Sequence, residues 1–128
     1  MEATEARSFD PETLELFDRE IEVDIETSAA GGTARRTTIW VVVADGVPLI
    51  RSWAGERGRW YREIRVEPNA AIHAAGRRIP VRAVPVADDT LAIDACSIAL
   101  EAKYRDDPAT PRMVDPEIHG TTLRLEPA

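Results

Sequence analysis

Arg36, Thr38 and Trp40 occupy alternate positions of the stretch ARRTTIW. Alternate side chains of a strand share a face, so a guanidinium, a hydroxyl and an indole fall in one row. Such a row suits a phosphate followed by a planar ring. A second group lies in RSWAGERGRWY. There Ser52 and Trp53 close a strand, and Gly55 and Gly58 let the backbone bend close to a ligand. Arg57 and Arg59 precede a helix start, where free N–H groups already attract anions. The two groups together describe a phosphate grip beside an aromatic surface.

Other chemistries find little support. There is no GxGxxG and no P-loop, and no Ser-His-Asp arrangement. His73 and His119 lie far apart without metal-ligand spacing, so no metal is expected. His73, in an alanine-rich strand, reads as structural, and His119, after a loop, as solvent-facing. The lone Cys96 reads as a buried small hydrophobe. Glu22, Asp24 and Glu26 alternate along a strand and read as its wet face, not as an acid/base pair. No catalytic residue is assigned.

Charge narrows the ligand class. The chain has 128 residues, about one domain, and a net charge of −7. Between Arg35 and Arg82 ten arginines face four carboxylates, leaving +6 there and −13 on the flanks. Nucleic-acid binding usually goes with a basic domain. A confined basic patch on an acidic body suits a small anionic ligand. The plainer reading is that these arginines pair with acidic neighbours. The longest apolar run, Ile39 to Ala44, is far short of the roughly 20 residues of a membrane helix. The acidic N-terminus lacks the apolar core of a signal peptide. No membrane partner and a cytoplasmic location are therefore expected.

The elements that would hold these residues follow from pattern. SFDPETLELFDRE predicts a helix capped by Ser8 or Asp10, with Phe9, Leu14 and Phe17 on its apolar side. Residues 1–8 are expected outside the ordered part of a single domain. IEVDIET alternates as a strand, with Ile21, Val23 and Ile25 inward, and SAAGG turns the chain. RRTTIWVVVADG reads as one strand ending at Asp45-Gly46, with VPLIRSW as its hairpin partner. Residues 58–66 predict a short helix with Trp60, Tyr61 and Ile64 inward. AAIHAAG and RIPVRAVPV follow as strands, the prolines of the second marking an edge or a bulge. DDTLAIDACSIALEAKYRD predicts the long helix, with Leu91, Ala95, Ile98 and Ala102 as its buried stripe. After a loop with three prolines, GTTLRLEP closes as a strand with Leu123 and Leu125 inward. This order predicts a mainly β fold, a small antiparallel barrel with helices plugging its ends.

The run RRTTIWVVVADGVPLIRSWAGERGRWYREIRVEPNAAIHAAGRRIPVRAVPV is similar to the core of the flavin-binding split barrels. These include pyridoxamine phosphate oxidase-like and deazaflavin-dependent nitroreductase-like proteins. The matching features are Arg36, Ser52, Arg57, Trp60-Tyr61 and Glu67-Pro68-Asn69, in that order, within residues 20 to 126. EAKYRDD and GTTLRLEP resemble an uncharacterised bacterial branch of domains of unknown function. The turn SAAGGTA departs from deazaflavin-dependent relatives, which are basic there.

The resemblance implies a six-stranded antiparallel split β-barrel with an N-terminal, a short and a long helix. It also implies a homodimer with two cofactor sites at the subunit interface. The cofactor would be FMN or a deazaflavin of the F-420 type. Arg36, Ser52 and Arg57 would hold its phosphate, and Arg59 joins them as a candidate from its place before the helix start. Thr38 and Trp40 would lie beside the ring, with Trp53 near it, the two tryptophans either framing the ring or filling its place. The implied activity is hydride transfer between cofactor and a small acceptor of the quinone or nitro class. The alternatives are a non-catalytic binder or sensor, and a barrel without its cofactor serving as a structural module.

Overall fold

The computed structural model describes residues 8–29 and 32–128. The stretch 1–7, within the expected disordered terminus, and Ala30-Gly31 of the SAAGG turn lie outside the described residues. Helix α1 spans Pro11–Arg19. Asp10 caps it by accepting from the Thr13 N–H at 3.1 Å, and Pro11 fills the first position, where an N–H would find no partner. Phe9 meets Phe17 edge to face, with centroids 5.4 Å apart. Leu16 is buried beside them, while Leu14 packs only at the margin of the core.

The strands are β1 (Val23–Ser28), β2 (Ala34–Ile39), β3 (Val42–Ala44), β4 (Val47–Ile50), β5 (Asn69–Ala74), β6 (Arg77–Pro85) and β7 (Leu123–Pro127). Helix α2 spans Arg59–Val66, α3 Thr90–Lys103 and α4 Thr110–Met113. Among the described residues seven strands form one antiparallel sheet in the order β2-β1-β5-β6-β7-β4-β3, where six were expected. The extra strand comes from RRTTIWVVVADG, which breaks at Trp40–Val41 into β2 and β3.

That break explains the architecture. β2 and β3 are consecutive in sequence but occupy opposite edges of the sheet. Ile39 and Val42 are three residues apart, a span of at most about 10 Å even when extended. The sheet must therefore curl until its two edges approach at this step, giving a half-barrel. The step leaves backbone groups without a ladder partner. Lys103 supplies one, its Nζ donating to the Val41 carbonyl at 2.7 Å and the Phe17 carbonyl at 2.9 Å.

Two cores result. Inside the curl, Val23, Ile25, Val41, Ile50, Ile72, Val81 and Leu125 meet α1 and the Trp60, Tyr61 and Ile64 side of α2. Outside it, Val42 and Leu49 pack beneath α3 against Cys96, Leu100 and Tyr104. Alternation along β3 and β4 thus serves both cores. Asp45 and Gly46, at φ 52° and 76°, join these strands by the tight turn expected of Asp-Gly.

Three expectations are corrected. β6 lies between β5 and β7, so its prolines mark neither edge nor bulge. The Pro80 carbonyl faces β7, accepting from the Ala128 N–H at 3.3 Å. Its N–H-less nitrogen faces the same way, and the β5–β6 ladder is kept, while Pro85 ends the strand. On α3 the buried stripe is Ile93, Cys96 and Leu100, whereas Leu91 and Ile98 are 80% and 68% exposed. Asp94 and Glu101 flank Leu91 and Ile98, and no carboxylate interrupts the other stripe. Ile21 is exposed because β1 begins only at Val23. Among the described residues no helix is long and apolar enough to cross a membrane.

Candidate functional site

The step between β2 and β3 opens a cavity of about 310 Å³. Thr38, Ile39, Trp40, Trp53 and Trp60 line it, and Arg51 and Met113 also border it. Glu22 and Asp107 stand at its exposed rim. The volume lies at the lower end of the range for small-molecule sites. Thr38, Trp40 and Trp53, drawn from two separate stretches of sequence, are thus brought to one place.

Trp40 is fixed there by Tyr104. Their rings stack with centroids 3.8 Å apart and planes 4° from parallel. Tyr104 is held in turn by its hydroxyl, which donates to the Ile21 carbonyl at 2.8 Å. Burial pushes the Tyr104 phenol above the usual tyrosine value, so it stays protonated. Trp53, by contrast, is 58% exposed. Arg112 braces it, donating from Nε to the Trp53 carbonyl at 2.9 Å while its guanidinium lies 5.8 Å from the ring centroid.

The expected phosphate grip is not gathered at this cavity. Arg36 shares the face of Thr38, and both bind Asp24 across the ladder, at 3.1 Å and 2.9 Å. Ser52 is fully buried, and its hydroxyl donates to the Gly55 carbonyl at 2.7 Å. Its N–H donates to Thr121 Oγ1 at 3.0 Å. Ser52 anchors the loop that carries Trp53. Arg57 opens onto a different depression, beside Arg112 and Glu117. Arg59 lines a third, with Arg35 and Arg62, where Arg35 pairs with Glu63 at 3.1 Å.

The acidic face of β1 is less solvated than its pattern suggested. Asp24 holds Arg36 and Thr38, and Glu26 holds Arg78 at 3.1 Å and His73 at 2.7 Å. Arg78, and then His73, hold the Glu26 carboxyl down at about 2. His73 is therefore structural, as expected. His119 is half-buried, bonded to the Val114 carbonyl at 2.9 Å, and not solvent-facing. Cys96 is fully buried, and burial pushes its thiol up to about 11. Among the described residues no cluster of His, Cys, Asp or Glu could hold a metal.

Arg51 is the site residue that motif reasoning passed over. It is 2% exposed and bonded to four neutral acceptors, on α3, on α4 and at Thr122 just before β7. Alternation contained the signal. Ile50 faces the inner core, so Leu49 and Arg51 both face α3. Trp60 and Met113 were also missed as cavity walls.

A curled antiparallel sheet whose edges meet beside an aromatic cavity, with helices at its mouth, defines the class as a split barrel. Solved structures share this fold. HutZ, described as the heme storage protein from Vibrio cholerae, superposes with a TM-score of 0.66 at 15% identity, over 94% of this chain and 91% of that one. An F420-H2 dependent reductase gives 0.60 at 17%, over 84% and 94%. A putative pyridoxamine 5'-phosphate oxidase from Listeria innocua gives 0.57 at 11%, over 89% and 87%. At these identities the likeness is one of fold. By sequence the chain belongs to the family DUF2255, described as an uncharacterized protein conserved in bacteria, which matches residues 13–125. Against curated proteins the sequence finds no match.

Proposed function

We propose that this chain binds a flavin or deazaflavin in the cavity at the β2–β3 step. With the cofactor it passes a hydride to or from a small acceptor of the quinone or nitro class. The carrying observation is the convergence of Thr38, Trp40 and Trp53 on one cavity. Structures of the same fold include an F420-H2 dependent reductase and a putative pyridoxamine 5'-phosphate oxidase.

The residues fit the ring better than the tail. Trp40, locked by Tyr104, and the braced Trp53 offer flat apolar surface at the cavity, and Thr38 a hydroxyl. Of the expected phosphate ligands only Arg36 lies on the face that leads into the cavity, and it would have to exchange Asp24 for the phosphate. Such a cofactor supplies the hydride chemistry, and the chain's part is to bind, orient and exclude water. A second copy of the chain is the expected partner. β2 is exposed on both faces from Ala34 to Thr38, and one structure of this fold is described as a domain-swapped dimer.

Haem is the weaker choice, although HutZ is described as a heme storage protein. Neither His73 nor His119 borders the cavity. The test is the absorption spectrum of the protein as isolated, followed by titration with FMN and with F420. A colourless protein whose melting temperature neither cofactor raises defeats the proposal. A protein that binds cofactor but is not reduced by NAD(P)H or a reduced partner is a binder and not an oxidoreductase.

A further inference from the structure

Arg51 is the only charged side chain fully buried among the described residues. Its Nε donates to Thr122 Oγ1 at 2.8 Å, and its Nη1 to Ser97 Oγ and the Met113 carbonyl, both at 3.0 Å. Its Nη2 donates to the Ile93 carbonyl at 3.1 Å. A guanidinium carries five N–H groups, so one on Nη2 is left over. All four acceptors are neutral.

A buried charge normally has an opposite charge beside it, because the interior screens it poorly and water cannot solvate it. Among the described residues no carboxylate pairs with Arg51. The Cys96 thiol, its ionisable neighbour, is kept protonated by burial. The carboxylates that do border the cavity, Glu22 and Asp107, stand at its exposed rim. Arg51 itself borders the cavity that Trp40, Trp53 and Trp60 also line.

We propose that the ligand supplies the counter-charge: the cavity takes a planar aromatic group with an anionic edge, that edge set against Arg51 and its face along the tryptophans. The inference rests on this cavity being the ligand site, as in the proposed function, and gives that site a charge preference. A flavin ring is neutral when oxidised and carries a delocalised negative charge when reduced and deprotonated. Arg51 therefore favours the reduced, anionic ring over the oxidised one.

The test compares two probes of nearly equal shape on the unmodified chain, 2-naphthoate and 2-naphthamide, by isothermal titration calorimetry. The expected result is saturable naphthoate binding at least about tenfold tighter than that of the amide, a ratio expected for a charged partner on a buried guanidinium. Equal affinities, or no naphthoate binding, overturn the inference. Arg51→Gln should bring the two probes together if it folds. Because Arg51 ties three elements, the comparison on the unmodified chain decides the matter alone. Naphthoate preference without binding of FMN or F420 defeats the proposed function and leaves this inference standing. FMN binding with equal probe affinities does the reverse.

Discussion

Trp40 lies flat against Tyr104, ring centroids 3.8 Å apart, at the two-residue step where the barrel seam turns. The stack does two things at once. It fills the outer core beneath α3, and it presents Trp40 to the cavity in one orientation. A ring bound at the cavity would meet an indole that cannot rotate away.

Removing the Tyr104 hydroxyl should therefore loosen both fold and site. Tyr104→Phe keeps the stacked ring but leaves the Ile21 carbonyl without its 2.8 Å donor. The expected cost is about 0.5–1.5 kcal/mol in urea unfolding. Trp40→Ala should cost about 3–5 kcal/mol if the indole behaves as a core side chain, and less in proportion to its half-exposure. Cofactor affinity should fall in Trp40→Ala and survive in Trp40→Phe, which keeps a flat aromatic face. Equal affinity in all three proteins would separate Trp40 from the ligand.

The arginines and Ser52, which looked alike in sequence, should behave differently. Arg36→Ala should weaken a phosphate-bearing cofactor by about 1.5–3 kcal/mol, the worth of a charged hydrogen bond. Arg57→Ala should leave affinity unchanged, since Arg57 opens onto another depression. Ser52→Ala should instead lower stability by about 1 kcal/mol, because it removes the 2.7 Å bond that closes the loop. Titrations and unfolding curves on the three variants check this. A loss of affinity in Arg57→Ala larger than in Arg36→Ala would reverse the assignment.

Gly58 is constrained by space and not by backbone angle. Its φ is −59°, open to any residue, but an added Cβ would lie 2.5 Å from Ser52 Oγ. Gly58→Ala should destabilise the protein by about 1–3 kcal/mol. In a Ser52→Ala background the obstructing oxygen is gone, so the same change should cost less. The double-mutant cycle measures that coupling. Strict additivity would show that Ser52 and Gly58 do not share the space.

Pattern carried most of the fold and part of the site, for reasons visible in particular residues. Asp10-Pro11, Asp45-Gly46 and the alternation of Leu123 and Leu125 are local signals, and each element formed where they put it. The break at Trp40–Val41 was hidden because Thr, Ile and Val continue across it, and only the meeting of distant sheet edges requires it. On α3 two apolar stripes compete, and the partner strands β3 and β4 choose between them. Within one chain the phosphate grip is not gathered at the cavity, because strand alternation fixes a face but not a neighbour. Asp24, on the adjacent strand β1, takes Arg36 and Thr38. Arg51 was masked by its richer surroundings, although its parity with Leu49 pointed beneath α3.

Lys103 should make stability rise with pH in a narrow window. Burial lowers its pKa from 10.5 to about 8, against the opposing pull of Asp18 and Glu20. The folded chain therefore releases this proton near pH 8, while the unfolded chain holds it until about pH 10.5. Between these values the unfolded state binds more protons, so raising the pH favours the folded one. Cys96 works in the opposite sense, since its thiol is pushed from 9.0 up to about 11 and the folded state keeps a proton that the unfolded state loses. The window in which Lys103 acts alone of the two is thus about pH 8 to 9. Urea midpoints taken across it should climb in the parent chain and stay flat in Lys103→Met. That variant also loses the bonds to the Val41 and Phe17 carbonyls, so its midpoints should be lower throughout, and the slope, not the level, carries the test. A parent profile that falls across the window would mean that Lys103 remains charged at the barrel seam.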